Sequence, residues 1–330
     1  AEEVARFYGY DKIPATLPSG EATAGKLSYQ TVIQNIARNV AEQAGFCEGM
    51  SYSFESPKVF DKLLISEDSE LRKAITISNP LGEDYSIMRT LSLNGMLSSL
   101  STNYNRRNKD VRLYELANIY LPKALPLEEL PDERMQLTLG MYGEGDFFDM
   151  KGVVEGILDK LGIRKDVTYT PDDDRPYLHP GRKADVVIGG QTVGFLGEVH
   201  PEVLDHYEIG TKAYVAVLDV KMLAELADFD VKYKGVAKFP AVTRDISLVM
   251  KKNVLAGQVE EVIRKNGGKL LESYQLFDVY EGEQLGQDEK SLAYSIRFRA
   301  SDRTLEDKDV TTVMEKILKK MEYLGISIRQ

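Results

Sequence analysis

Between Tyr29 and Phe46 the apolar residues Val32, Ile33, Ile36, Val40 and Ala44 recur at three- and four-residue intervals. That spacing predicts an amphipathic helix, and Gly45 marks its stop. Helices are also predicted over "SLNGMLSSLSTNYNRR" and "DMKGVVEGILDKLGI". Between them the period changes. "AITISNP" and "RMQLTLGMYG" predict strands, and "VRLYELANIYLP" is apolar too densely for one wet face, so it predicts a strand buried on both sides. In "KADVVIGGQTVGFLGEV" the pair Gly189-Gly190 separates two apolar runs, the pattern of a tight hairpin. "AYVAVLDVKMLAELA" predicts a strand running into a short helix. Hairpins and isolated strands outnumber βαβ units here, which points to an α+β module around a largely antiparallel sheet.

Beyond residue 236 the pattern is simpler. "RDISLVM" alternates, with Ile246, Leu248 and Met250 inward, and "AGQVEEVIRKNGG" predicts a helix ended by a Gly-Gly stop. "LLESYQLFDVY" and "KSLAYSIRFRA" predict strands joined by "EGEQLGQDE". Next comes a helix over "TLEDKDVTTVMEKILKKMEYLG", with a capping box expected from Thr304 at the N-cap and Asp307 three residues on. "ISIR" closes the series, and the order β-α-β-β-α-β predicts a ferredoxin-like fold. At the other end, Val4, Phe7 and Tyr8 share a helical face in "AEEVARFYGYDKIP" without any N-cap residue, and the Pro- and Gly-bearing stretch 12–28 reads as a linker.

Composition narrows the function. No run of apolar residues is long enough for a membrane helix, and the acidic start is unlike a signal peptide. Cys47 is the sole cysteine, which excludes a disulfide framework or a cysteine zinc site and fits a reducing cytoplasm. Residues 235–330 hold 16 basic and 15 acidic residues, leaving the rest of the chain at −11. Phosphate contact relies on Lys and Arg, so RNA contact is expected in the C-terminal part.

Local patterns yield no autonomous active site. His179 and His200 precede prolines and His206 stands apart, a spacing that suits loop boundaries better than a zinc site. "DDDRP" at 172–176 lacks the glycine and closing glutamate of a calcium loop and reads as solvated. "YGEGD" and "GGQTVGFLG" match no nucleotide-binding glycine pattern. Arg106 and Arg107 end a predicted helix, where cations suit the dipole.

Several strings are specific in combination. "EEVARFYGYDKIP", "NPLGEDYSIMRTLSLNGML" and "GFLGEVHP", with "KFPAVTRDISLVM", "ESYQLFDVYEGEQLG" and "YSIRFRASDRTLEDKDV", together resemble the β subunits of bacterial phenylalanyl-tRNA synthetases, over essentially the whole chain. The resemblance implies the C-terminal portion of such a subunit: residues 1–24 as the end of a B5-type domain and a linker, 25–232 as a class II synthetase-like, non-catalytic module, and 233–330 as a ferredoxin-fold anticodon-binding domain. It implies that Glu2 and Glu3 match the last two acidic ligands of a Mg²⁺ site whose aspartate partners lie upstream of Ala1, so the site is incomplete here. Class II catalysis grips ATP with arginines in its second and third motifs. Here Leu113 stands two residues before Glu115 where such an arginine is usual, and none follows the glycines of "VGFLGEVHPEVL". An inert module that packs against the catalytic α subunit is therefore expected. The full cytoplasmic enzyme, by resemblance, is an α2β2 assembly joining phenylalanine to tRNA(Phe) with ATP and Mg²⁺, and its editing site lies in upstream domains. Aromatics interleaved with cations make Tyr274, Phe277, Tyr280, Arg297, Arg299 and Arg303 the expected tRNA contacts. The rival readings are a free-standing ATP-dependent ligase and a stand-alone RNA-binding module.

Overall fold

The computed structural model describes residues 1–164, 166–171, 174–233, 235–282 and 284–329. A short helix α1 (Glu2–Tyr8) and an extended stretch precede the first module. That module runs α2 (Tyr29–Gln43), β1 (Cys47–Glu48), β2 (Phe54–Glu55), α3 (Val59–Lys62), β3 (Ile87–Met88), α4 (Leu93–Asn105), β4 (Val111–Leu121), β5 (Asp132–Tyr142), α5 (Phe147–Lys160), β6 (Val167–Thr170), β7 (Leu178–Ile188), β8 (Gln191–Val199), α6 (Pro201–His206), β9 (Ala213–Asp219) and α7 (Val220–Leu226). Local chemistry sets the helix starts. The Ser28 hydroxyl accepts the Thr31 N–H at 3.1 Å ahead of α2, and Asp146 and Asp149 form a reciprocal capping box on α5.

Among the described residues the main sheet has the order β1-β4-β5-β9-β8-β7-β6, antiparallel apart from the β1–β4 pair. Strand alternation builds two cores from it. On β9, Tyr214, Ala216 and Leu218 face α2, α5 and α7, while Ala213, Val215 and Val217 face α3, α4 and α6. On β4, Tyr114 joins the first core and Val111 the second, as expected for a strand buried on both sides. α4 lies close to the sheet over Gly140, where a Cβ would come within 2.6 Å of Met96 Cγ.

The second module runs β10 (Val242–Lys251), α8 (Ala256–Gly267), β11 (Leu271–Tyr280), β12 (Glu289–Phe298), α9 (Asp307–Glu322) and β13 (Ser327–Ile328). Its sheet order is β11-β12-β10-β13, antiparallel throughout, which is the ferredoxin-like βαββαβ arrangement. Leu248, Met250, Leu292, Tyr294, Ile296 and Phe298 pack under α8 and α9.

Two local expectations are corrected. "AITISNP" forms no strand: Thr76 makes an isolated bridge to Ile87, and Ser78-Asn79-Pro80 end the pairing. α9 begins two residues later than its sequence suggests, with Glu306 at the N-cap and its N–H donating to Asp309 Oδ2 at 3.1 Å. Leu305 is the reason, because its side chain is buried in the core and the helix starts only after it. Asp172 and Asp173 of the "DDDRP" run lie outside the described residues.

Candidate nucleic-acid interface

Alternation that buries one face of the second sheet leaves the other without a helix. That face carries Thr243, Asp245, Ser247 and Val249 from β10, Ser291, Ala293, Ser295 and Arg297 from β12, and Ser273, Gln275, Asp278 and Tyr280 from β11. It is mixed: Asp245 and Asp278 place two carboxylates on it, Ala293 and Ser291 are buried, and Arg297 stands towards one end. The Arg329 guanidinium lies 4.6 Å from the Tyr280 ring centroid and also donates to Gln284 Oε1 at 2.6 Å. An open sheet with a π face and hydroxyls is a surface on which unstacked bases can lie.

The six expected contact residues are dispersed over this module. Tyr280 and Arg297 share the open face. Phe277 sits where the β11–β12 register shifts between Leu276 and Asp278, and the bulge leaves it 55% exposed. Tyr274 points the other way and packs half-buried against the helical core, where burial and then the Glu260 charge push its hydroxyl pKa up. Arg297 and Arg299 both reach the Glu272 carboxylate, at 2.7 and 2.8 Å. The hydrogen bond from Arg299 and the charges of both arginines hold that carboxyl below its usual range. Arg299 also donates to the Phe239 carbonyl, which ties it to the segment entering β10. Arg303 pairs with Asp309 at 3.0 Å in the first turn of α9. Phe277 is thus open to a base, Tyr280 is half-buried with the Arg329 guanidinium over its ring, and the three arginines have carboxylate partners that a phosphate would have to displace.

The first module carries a cleft of about 270 Å³ on its main sheet, lined among others by Arg134, Gln136, Arg175, Tyr177, Thr192 and Asp219. Both guanidiniums are engaged. Arg134 pairs with Asp132 at 2.6 Å and Asp219 at 3.9 Å; Arg175 pairs with Asp185 at 2.7 Å and lies 4.2 Å from the Phe195 ring centroid. The Glu115 carboxylate, with Leu113 two residues before it, takes its cation from elsewhere. Arg89 donates to it at 3.2 Å, with both side chains almost wholly buried, and Ser51 donates from its N–H at 3.0 Å and its hydroxyl at 2.8 Å. Glu198, after the glycines of β8, receives Arg182 of β7 in a two-pronged pair at 2.5 and 2.8 Å. Nearby, Glu55 is buried behind α4. Burial pushes its pKa up to about 7, although the hydrogen bond from Asn94 and the Arg89 charge oppose the rise. The Tyr207 hydroxyl donates to the other end of Asn94 at 2.6 Å.

On α1, Glu3 pairs with Arg6 at 2.8 Å and Glu2 accepts the Tyr10 hydroxyl. The two carboxylates do not converge. Among the described residues no group of three or more His, Cys, Asp or Glu could hold a metal ion, so Glu2 and Glu3 make no complete site by themselves.

Comparison with known proteins bears on both modules. The family described as "Phenylalanyl tRNA synthetase beta chain CLM domain" matches residues 13–220, and "Ferredoxin-fold anticodon binding domain" matches residues 237–329. The chain belongs to the phenylalanyl-tRNA synthetase β-chain family. Among relatives, the phenylalanine–tRNA ligase β subunit of Clostridium acetobutylicum is 44% identical over 331 residues, covering 100% of this chain and 41% of the relative. That of Clostridium tetani is 43% identical and covers 100% and 42%. The chain therefore spans about two fifths of the length of the curated relatives it matches. A solved pyrrolysyl-tRNA synthetase from Desulfitobacterium hafniense overlaps 58% of this chain and 66% of its own at TM-score 0.48 and 15% identity.

In this member of the synthetase β-chain family, sequence reading missed Glu272, Arg89 and Arg329. Glu272 sits beside Leu271 in an apolar-rich strand, and only the strand register shows it between two arginines. Arg89 lies 26 residues before Glu115, too far for any spacing rule to pair them. Arg329 needed the β10–β13 pairing, which brings the chain end back beside Tyr280.

Proposed function

We propose that this chain is the part of a phenylalanine–tRNA ligase β subunit that holds the catalytic α subunit and binds tRNA(Phe) during ATP-dependent aminoacylation in the cytoplasm. In this reading residues 1–24 close a preceding B5-type domain and form a linker, 25–232 are a class II-like module without catalysis of its own, and 233–330 meet the anticodon. The observation that carries it is the pairing of the two family matches over nearly the whole chain. The geometry adds two supports. A ferredoxin-like sheet offers a helix-free face with Tyr280 on it and the exposed Phe277 at the bulge of its edge strand, and the cleft of the first module spends both its arginines on carboxylates. Without an available guanidinium, the charge of a phosphoryl-transfer transition state has no counterpart there. ATP and Mg²⁺ belong, on this account, to the α subunit and to the assembled enzyme.

Two measurements on the purified chain test this. It should bind a tRNA(Phe) transcript more tightly than a transcript with a changed anticodon, and it should give no phenylalanine-dependent pyrophosphate exchange. Exchange by the chain alone would establish a free-standing ligase instead. Among the described residues no helix is long and apolar enough to cross a membrane.

A further inference from the structure

The loop after α4 gathers cations that the rest of the molecule leaves alone. Arg106, Arg107, Asn108 and Lys109 are all exposed. Cations at a helix end ordinarily serve its last carbonyls. Here backbone groups do that work: the N–H groups of Arg106, Arg107 and Asn108 donate to the carbonyls of Thr102, Tyr104 and Asn103 at 3.2, 2.8 and 3.1 Å. Arg107 adopts φ 64 to close the turn. Among the described residues the side chains of Arg106, Arg107, Lys109 and Lys212 make no hydrogen bond or ion pair, in contrast to the arginines of the sheet cleft and of the C-terminal sheet.

Arg107 and Lys109 line one pocket of about 500 Å³ with Tyr104, Asn105, Asn108, Tyr142 and Thr211, and Arg106 and Lys212 are chain neighbours of its lining. Its floor is rigid: the Tyr104 and Tyr142 rings meet edge to face at 5.8 Å, and the Tyr142 hydroxyl donates to the Asn108 carbonyl at 2.9 Å. The 210–212 loop forms the far wall, with Gly210 against the Tyr104 hydroxyl, and carries Lys212. The Lys212 charge is felt at His179. Burial, then the charges of Arg182, His200 and Lys212, hold the His179 imidazolium pKa below its ordinary range, against the pull of Glu198. Four carboxylates stand on the neighbouring segments, as many as the four cations. Asp110 accepts the Glu144 N–H at 3.2 Å at the foot of β4 and β5, Glu198 is committed to Arg182, and Glu144 and Glu208 are exposed beside the pocket.

We propose that this pocket and its rim, Arg106, Arg107, Lys109, Thr211 and Lys212, form a second RNA contact that holds tRNA through its phosphate backbone. Arginines with free guanidiniums, flanked by amide and hydroxyl donors, match phosphate oxygens in charge and in fork geometry. The surrounding module is net acidic, so diffuse attraction cannot supply binding here and the contact is local. A domain that reads an anticodon leaves most of the tRNA backbone free to be held elsewhere. The inference rests on the reading that the chain binds tRNA and names a surface outside the ferredoxin-like domain.

The test is equilibrium binding of the whole chain to tRNA(Phe) and to a non-cognate transcript across a salt series. The variant Arg106→Gln/Arg107→Asn/Lys109→Gln removes three charges and keeps a residue tolerant of positive φ at 107. It is expected to bind both transcripts about tenfold more weakly at low salt, with the cognate preference unchanged. The slope of log K against log salt should flatten by about 2, since each phosphate contact contributes roughly 0.7–0.9. Arg106→Lys/Arg107→Lys should keep most of the slope. Should the triple variant melt early, Lys109→Gln alone is expected to flatten the slope by about 0.7–0.9. An unchanged slope in a folded variant overturns the second contact, as does competition by polyglutamate as effective as RNA at equal charge, which would make the patch a site for an acidic protein segment. If the unaltered chain binds no tRNA, the functional reading itself fails, and with it this inference.

Discussion

Glu55 is a carboxyl placed where its charge is unwelcome. Its 5% exposure and the neighbouring Glu115 outweigh the help of Asn94 and Arg89, so the folded pKa stands at about 7 against 4.5 for the free group. The native state therefore holds this proton more tightly than the unfolded chain does. The stabilisation is complete below about pH 4.5, drains as pH rises, and is gone above pH 7. The difference amounts to about 3 kcal/mol. Glu55→Gln is predicted to melt at a higher temperature than the parent at pH 8 and to lose most of the parent's decline between pH 5 and 8. Parallel melting curves for the two proteins across that range would contradict the assignment. None of this was legible in "SYSFESPKVF", where Glu55 stands between Phe54 and Ser56 with no periodicity to bury it. Burial comes from α4 and α6 closing over it, and Asn94 and Tyr207 are distant in sequence. The expectation drawn at Glu115 has a similar limit. The absence of an arginine at Leu113 is real, yet the carboxylate is countered by Arg89, which reading along one strand does not reveal.

Periodicity carried the elements well where one face is clearly buried. The β7–β8 hairpin, α5, and the order of the C-terminal module follow directly from Gly189-Gly190, the 3.6-residue stripes and the strand alternation. It failed where two residues decide the matter, as at Leu305 and at Ser78-Asn79-Pro80. It also failed at β11, whose bulge breaks strict alternation and separates aromatics that look equivalent in "ESYQLFDVY". That difference is testable. Phe277→Ala should weaken tRNA binding by about 1–3 kcal/mol, the usual worth of a base stacked on an aromatic ring, with little change in melting temperature. Tyr274→Ala should instead destabilise the domain by about 2 kcal/mol or more, because it empties part of the core. Equal losses of RNA affinity without loss of stability in both would mean that the bulge does not orient these rings as described.

At the scale of the whole molecule, two α+β units with separate cores share one chain, and the sequence announces both through their different patterns. What it does not announce is a partner. Exposed apolar residues such as Met50 at 93%, Leu81 at 84% and Val236 at 91% cannot be sorted into docking surface and ordinary surface by spacing alone. The family relationship supplies the expectation of an α subunit, and both arginines of the sheet cleft are committed to carboxylates. The most direct measurement is the molar mass, by light scattering after size exclusion, of this chain mixed with a phenylalanine–tRNA ligase α subunit from the same organism. The account predicts a single mixed species heavier than either component. Two peaks at the masses of the separate chains would contradict a scaffold role for these residues.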